Sequence, residues 1–151
     1  MLIRLARPDD ADGVWPLARA LATSFTPERD RFESTWAELL GAPRALVVVA
    51  EGEGRRIVGY LLAHSHLAFF ANGPLAWIEE VMVDERHRRS GVGKRLVARA
   101  EDWARSIDAA YVALASRRAG AFYLALGYED SAVFYRKMLA GSQGEEAGTP
   151  R

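Results

Sequence analysis

The sequence contains no cysteine, and this absence excludes several kinds of site at once. A disulfide framework, a zinc site with thiolate ligands and a cysteine nucleophile all require that residue. Net charge is also absent, because 20 lysines and arginines balance 20 aspartates and glutamates. No overall field therefore draws the protein to nucleic acid or to a membrane surface, and we expect neither as a partner.

Long apolar runs are missing as well. The N-terminus lacks the apolar core of a signal peptide, and no segment approaches the roughly 18 apolar residues of a membrane span. Since the lack of cysteine fits a reducing compartment, we expect a soluble, cytoplasmic protein. We predict a single domain over residues 1–140 and a disordered tail over 141–151, which is polar and rich in glycine.

Apolar periodicity predicts an α/β (α+β) protein in which helices cover both faces of a mixed sheet. We expect Pro16 to kink the first helix or to move its start, Gly59 to mark a bulge, and Gly41 and Gly127 to end helices. Strands are predicted over 2–6, 44–51, 56–70, 75–85, 111–116 and 131–139, and helices over 11–22, 27–40, 93–107 and 119–127.

Residues 88–95, RRSGVGKR, form a glycine-rich loop with basic side chains between a predicted strand and a predicted helix. Unpaired amides and the positive end of the helix dipole converge at such a position, which therefore favours an anion such as phosphate. Gly91 and Gly93 allow the main chain to approach that anion closely. We expect Arg88 and Arg89 to contact phosphate rather than only solvent.

Two common phosphate-binding motifs do not fit this loop. A Walker A loop requires glycine in place of Arg88 and serine or threonine in place of Arg95, so the Gly93-Lys94 pair does not indicate an NTPase. A dinucleotide fingerprint requires a third glycine where this chain has Leu96. The pattern R-x-x-G-x-G does fit, and it follows the strand EEVMV.

In this context the segment VMVDERHRRSGVGKRLVARAEDWA resembles the acetyl-CoA-binding motif of the GCN5-related N-acetyltransferases, the GNAT family. A second segment, AGAFYLALGYED, is similar to the family's helix whose tyrosine reaches the thioester sulfur, and Tyr123 falls on that position. The resemblance implies a mixed, mostly antiparallel sheet of six or seven strands flanked by about four helices. It also implies acetyl-CoA as cosubstrate and no metal.

The resemblance assigns cofactor contacts to the loop and to the elements around it. The loop amides are expected to hold the CoA pyrophosphate, and Ser116 stands where many members carry an asparagine near the pantetheine. The strand amides before the loop are candidates to donate to the acetyl carbonyl oxygen if that strand splays from its neighbour. The expected contacts are Val81, Met82, Val83, Arg88, Arg89, Ser90, Gly91, Val92, Gly93, Lys94, Ser116 and Tyr123.

Acetyl transfer to an amine needs a base, because neutralising an alkyl ammonium with a pKa near 10.4 costs about 4 to 5 kcal/mol at pH 7. Glu79 and Glu80 lie inside the apolar strand before the loop. Strict alternation places Glu79 with Val81 on one face, and Glu80 with Ile78 and Met82 on the other. By family position Glu79 is the preferred base, and Glu80 takes its place if a bulge shifts the phase.

Tyr123 suits the departing thiolate, to which it is expected to give a hydrogen bond late in the reaction. Full proton transfer from a phenol to a thiolate is uphill by about 2 kcal/mol. With no cysteine available, direct attack in a ternary complex is favoured over an acyl-enzyme. The alternative is a non-catalytic acyl-CoA-binding module, which needs neither the carboxylate nor the tyrosine, so their joint presence favours an enzyme.

No motif identifies the acceptor, and the resemblance implies only a small-molecule or peptide amine. His64 and His66 share one strand face, but two ligands without a third do not indicate a metal site, and packing or lining of the acceptor pocket is favoured. Family members often pair, so a homodimer is a further implication, and the oligomeric state stays open.

Overall fold

The computed structural model describes residues 1–139 and contains one five-stranded sheet with the strand order β1-β2-β3-β4-β5. Neighbouring strands are antiparallel except β4 and β5, which are parallel. The mixed, mostly antiparallel sheet is confirmed, with five strands instead of six or seven. The tail predicted over 141–151 lies outside the described residues. The strands are β1 (Leu2–Leu5), β2 (Ala45–Glu51), β3 (Ile57–Ala68), β4 (Gly73–Val83) and β5 (Val112–Leu114).

The strand predicted over 131–139 is wrong. This segment has no regular secondary structure and is mostly exposed. Side chains attach it to the domain instead of a hydrogen-bonded ladder: Phe134 stacks on Trp77 with ring centroids 6.5 Å apart, and Arg136 donates to the Ser24 hydroxyl at 3.0 Å. Alternating apolar residues suit a pleated surface, but a strand also needs a neighbouring edge to pair with.

Four α-helices are present among the described residues, as predicted. The first runs through Pro16 and begins at its predicted residue, so the proline does not move its start. The second begins two residues later than predicted because the residue before it, Glu28, is extended, and it ends at Gly41 as expected. The helices are α1 (Ala11–Leu21), α2 (Arg29–Leu40), α3 (Val92–Ser106) and α4 (Gly120–Ala125).

Two apolar clusters, one on each face of the sheet, hold the helices in place. We call these faces the α3 face and the α1–α2 face after the helices that cover them. Burying one such side chain contributes about 1.5 to 3 kcal/mol, so the sheet is fixed from both sides. The α3 face includes Val48, Leu61, Leu96, Val97 and Ala100, and the α1–α2 face includes Val14, Leu17, Trp36, Val49 and Leu62.

A buried ion pair joins β1 to the start of α1. The Arg4 guanidinium donates two hydrogen bonds to the carboxylate of Asp10, both at 2.8 Å, and one to Glu51 of β2 at 2.7 Å. Asp10 also accepts from the amide of Arg7 at 2.7 Å. The hydrogen bonds from Arg4 hold the pKa of the Asp10 carboxyl below its ordinary value, against the opposing effect of burial.

Replacing Asp10 with Asn is expected to lower the free energy of unfolding by about 1.5 to 3 kcal/mol, because the Arg4 guanidinium loses the charge of one of its two carboxylate partners and only Glu51 keeps its charge. Since the pKa of Asp10 is lower in the folded state, its stabilisation is present above the unfolded pKa and is lost as pH falls through the folded pKa. Urea unfolding should therefore show a gap between variant and wild type that narrows in acid. The exposed Asp9→Asn control should change little, and an equally small effect of Asp10→Asn would contradict the assignment.

Candidate active site

β4 has a pairing partner on one edge for only part of its length. β5 pairs with β4 at Ala76, Trp77 and Ile78, and the pairing stops there. β3 continues along the other edge as far as Val83. Among the residues that the structure describes, no strand pairs with this edge of segment 79–83, so β4 and β5 separate beside the amides of Val81 to Val83.

A bulge in β4 changes which side chains share a face. Leu62 of β3 pairs with Glu80, and the next residue of β3 pairs with Ile78, so Glu79 is the extra residue. Ile78 consequently lies with Val81 on the α3 face. The predicted grouping of Ile78 with Glu80 is wrong, because strict alternation does not hold across an inserted residue.

The same bulge reverses the edge that the β4 amides face. The Ala76 amide donates toward β5 at 3.1 Å, and the Asp84 amide donates toward β3 at 2.8 Å, although residues at these two positions would face the same edge in a regular strand. Because peptide groups alternate along a strand, the amides of Val81 and Val83 face the open edge and that of Met82 faces β3. Two of the three amides proposed from sequence are thus directed to the gap.

The loop after β4 presents unpaired amides at the start of a 15-residue helix. Asp84 caps a short turn by accepting from the Arg86 amide at 3.1 Å, and α3 follows Gly91, which has a φ of 85°. Within residues 1–139, no amide from position 89 to 94 donates to a main-chain carbonyl. These amides and the helix dipole are therefore available to an anion.

The two loop glycines have different surroundings. Gly91 has a left-handed conformation, and nothing lies within 4 Å of the place where its side chain would be, so the loop is open there. At Gly93 a Cβ atom would lie 3.3 Å from the ring of Phe122. Gly93 therefore lets α4 approach α3 closely, a packing role that was not predicted from sequence. Its amide donates to no main-chain carbonyl of the described chain.

The polar side chains of the loop do not all point outward. Arg88 folds back onto the end of β4, where its Nε donates to the carbonyl oxygen of Val83 at 3.2 Å. The hydroxyl of Ser90 donates to the carbonyl oxygen of His87 in the preceding turn. Arg89 and Lys94 are exposed at the loop surface, so they are the side chains with most freedom to reach a ligand.

Glu80 lies on the α1–α2 face, where its carboxylate accepts a hydrogen bond of 2.6 Å from the hydroxyl of Tyr60. Burial raises the pKa of Glu80, and the negative charge of Glu79 acts in the same direction. The hydrogen bond from Tyr60 and the nearby His64 oppose this rise. Glu79 is exposed, so Glu80 is the glutamate of the pair whose environment suits a proton acceptor.

Tyr123 lies on α4 and packs with the α3 face of the sheet. Its ring meets those of Phe122 and Tyr128 edge-on, with centroids 4.9 and 5.7 Å apart, and burial raises the pKa of its phenol. The Tyr128 hydroxyl donates to Glu101 at 2.8 Å, whereas no residue of the described chain hydrogen-bonds the hydroxyl of Tyr123. Tyr123 thus stays protonated and able to donate.

Ser116 follows β5 and stabilises the turn before α4. Its hydroxyl oxygen accepts from the amide of Ala119 at 3.0 Å, so one lone pair is engaged within the protein. The hydroxyl proton is not needed for this contact and can donate to a ligand.

Tyr60 makes the direct contact to Glu80 and was not among the site residues predicted from sequence. It lies in the apolar run IVGYLLA, where a tyrosine resembles an ordinary core residue. The available signal was its place on the strand next to the one that carries the paired glutamates. His64, on the same face, lines a groove of about 340 Å³ together with Glu38 and Arg44.

In residues 1–139 no three histidine, aspartate or glutamate side chains are grouped as a metal would require. None of the helices in that range has the length and apolar character to cross a membrane.

The model of the acetyltransferase (GNAT) family matches residues 14–128. The chain belongs to this family. Its members transfer the acetyl group of acetyl-CoA, and this GNAT protein is an acetyl-transferring enzyme. A relative, the aminoglycoside N(6')-acetyltransferase type 1 of Serratia marcescens, is 29% identical over 147 residues, which cover 91% of this chain and 99% of that one.

Solved GNAT-like structures share the fold at lower identity. Glucosamine-6-phosphate N-acetyltransferase from Arabidopsis thaliana superposes with a TM-score of 0.81 at 22% identity, covering 91% of this chain and 97% of that one. An aminoglycoside N-acetyltransferase solved in complex with CoA gives a TM-score of 0.76 at 21% identity, covering 91% and 95%. The chain therefore shares the fold of these two solved structures over about nine-tenths of its length.

Replacing Glu80 with Gln is expected to stabilise this GNAT protein, and increasingly so as pH rises. Because the pKa of Glu80 is raised in the folded state, its contribution to stability is complete below the unfolded pKa and is lost as pH rises through the folded pKa. Glutamine carries no charge and keeps an oxygen for Tyr60.

Urea unfolding at about pH 5 and pH 8 measures this effect. The stability gained by Glu80→Gln should be larger at the higher pH, whereas Glu53→Gln, in the exposed turn between β2 and β3, should give no such trend. A gain that is the same at both pH values would show that Glu80 is not an unfavourably buried carboxylate.

Proposed function

We propose that this GNAT acetyltransferase moves an acetyl group from acetyl-CoA to a primary amine by direct attack in a ternary complex. One observation carries the proposal: the open edge of β4 lies between a partly buried carboxylate, Glu80, on the α1–α2 face and a phenol without a hydrogen-bond partner in the described chain, Tyr123, on the α3 face. The chain has no cysteine to form an acyl-enzyme, which supports transfer in one step.

The residues present fit acetyl-CoA. The unpaired amides from position 89 to 94 suit a diphosphate, with Arg89 and Lys94 exposed beside them. The open edge of residues 79–83 offers donors and acceptors to the amide-containing pantetheine arm, as a strand edge does for an added strand. When bound there, acetyl-CoA would supply an activated thioester. Ser116, which follows β5, is the proposed contact on the opposite side of the gap.

Glu80 is the proposed general base. A carboxyl with a raised pKa is a better proton acceptor for an ammonium than an exposed one, because the difference between the two pKa values is smaller. Glu79, which the family position favours, is exposed at the bulge. We assign it an electrostatic role, since its charge helps to keep the pKa of Glu80 high.

A main-chain amide and a phenol are proposed to stabilise the acetyl carbonyl oxygen and the departing sulfur. The Val81 amide faces the open edge and is the proposed donor to the acetyl carbonyl oxygen, where charge develops during attack. The carbonyl of Val83, on the same edge, already accepts from Arg88. Tyr123 is proposed to donate a hydrogen bond to the departing sulfur and to keep its proton, because burial raises its pKa.

The proposed acceptor is a primary amine of a small molecule or peptide. By its name, the relative from Serratia marcescens acts on aminoglycosides, which makes aminoglycoside amines the first candidates to test. The groove lined by Glu38, Arg44 and His64 opens on the face that carries Glu80 and is the proposed entry for the acceptor. Its mixture of acidic and basic side chains does not select one class of amine.

Thiol release from acetyl-CoA across a panel of amines tests this function. The panel should include aminoglycosides, amino sugars, polyamines and peptide N-termini. Glu80→Gln is expected to lower kcat/KM for the best amine by about 100-fold or more at neutral pH, as removal of a general base does. Tyr123→Phe should lower kcat by about tenfold while the KM for acetyl-CoA changes little.

Tyr111→Phe, at an exposed position immediately before β5, serves as the control and should behave as wild type. If acetyl-CoA binds but no amine stimulates thiol release, the protein is an acyl-CoA-binding module instead. If Glu80→Gln is fully active and Glu79→Gln is not, the base is the exposed glutamate and the proposed assignment is wrong.

A further inference from the structure

Tyr60 is buried on the α1–α2 face, with 3% of its surface exposed. It lies on β3 opposite Met82, one position along the same face from Glu80. From there its hydroxyl reaches diagonally and donates to Oε1 of Glu80 at 2.6 Å. A short bond from a buried hydroxyl to a carboxylate is a strong one, so the position of this carboxylate depends on the phenol.

The contact engages only one carboxylate oxygen. Oε1 accepts from Tyr60, while Oε2 receives no hydrogen bond from any residue of the described chain. A carboxylate held through one oxygen presents the other in a defined direction, which lowers the cost of ordering it when the acceptor arrives.

Within residues 1–139, no other side chain or amide hydrogen-bonds the Glu80 carboxylate. The charged groups that face it are Glu79 on its own strand and His64 on β3, and both act through charge without a hydrogen bond. α1 and α2 cover this face with apolar side chains, including Leu17 and Trp36. The orientation of Glu80 therefore rests on Tyr60.

We propose that Tyr60 is the positioning residue for the general base, holding Oε1 of Glu80 so that Oε2 receives the proton of the acceptor amine. In this step the N–H bond breaks, the electron pair stays on nitrogen, and Tyr60 neither gains nor loses a proton. Burial beside a carboxylate raises the pKa of Tyr60, so it remains a donor throughout. The inference rests on the proposed role of Glu80.

The pH–rate profile of Tyr60→Phe tests the proposal. This substitution removes the hydroxyl and keeps the ring. Loss of the donor is expected to raise the pKa of Glu80. The acid limb of the profile, where kcat/KM for the amine falls as pH decreases, should therefore move to higher pH. At a pH below that limb the rate should fall about tenfold, and the KM for acetyl-CoA should stay within about twofold of wild type.

Two comparisons separate positioning from a structural role. Tyr128→Phe breaks a similar bond between a tyrosine and a glutamate, at 2.8 Å, and should leave the acid limb in place. In a Glu80→Gln background, adding Tyr60→Phe should cause no further loss of rate, because the base it positions is gone. If Tyr60→Phe does not fold, Tyr60→3-fluorotyrosine keeps ring and hydroxyl but donates more strongly, and should move the limb to lower pH.

The outcomes distinguish this inference from the proposed function. An acid limb unmoved by changes at Tyr60, in an enzyme that Glu80→Gln inactivates, overturns the role of Tyr60 and leaves the base assignment standing. Full activity of Glu80→Gln overturns the base assignment itself. A further loss of rate on adding Tyr60→Phe to Glu80→Gln would show that Tyr60 acts through the fold.

Discussion

One extra residue in β4, Glu79, reverses both the edge that the following amides face and the face that the following side chains occupy. In a regular strand Glu80 would lie with Ile78 on the α3 face, and the Val81 amide would be used up in pairing with β3. The bulge places the Glu80 carboxylate on the α1–α2 face, beside the gap between β4 and β5. It also directs the Val81 amide into that gap. Because β5 ends at Leu114, no strand of the described chain pairs with that donor.

The fold is stabilised by a carboxylate that stays charged, whereas the proposed site needs a carboxylate that readily accepts a proton. Asp10 is buried beside Arg4, whose hydrogen bonds lower the pKa of its carboxyl and make the charge stabilising. Glu80 is partly buried beside a phenol and has no bonded cation among residues 1–139, so its pKa is raised and the charge is unfavourable. A proton acceptor needs that unfavourable environment, because a fully satisfied carboxylate is a weak base. The stability supplied by two apolar faces and by the Arg4 pair offsets this cost.

Features that are encoded within one short segment could be predicted from the sequence. The loop over 88–93 was recognised because glycine spacing, basic residues, a preceding strand and a following helix coincide within one short segment. Features that depend on contacts between distant segments could not be predicted. The bulge at Glu79 depends on the register with β3, the role of Gly93 depends on the distance to Phe122, and the segment 131–139 alternates like a strand without pairing as one. Tyr60 was missed because its partner lies on another strand.

The most direct measurement is a titration of the protein with CoA and, separately, with pantetheine, followed through the amide resonances of an isotopically labelled sample. Pantetheine lacks the diphosphate. If the free amides at the start of α3 bind that group, resonances from Arg89 to Gly93 shift strongly with CoA and little with pantetheine, and those of Val81 and Val83 shift with both. Shifts from CoA confined to other parts of the protein would contradict the account, since the nucleotide would then bind elsewhere.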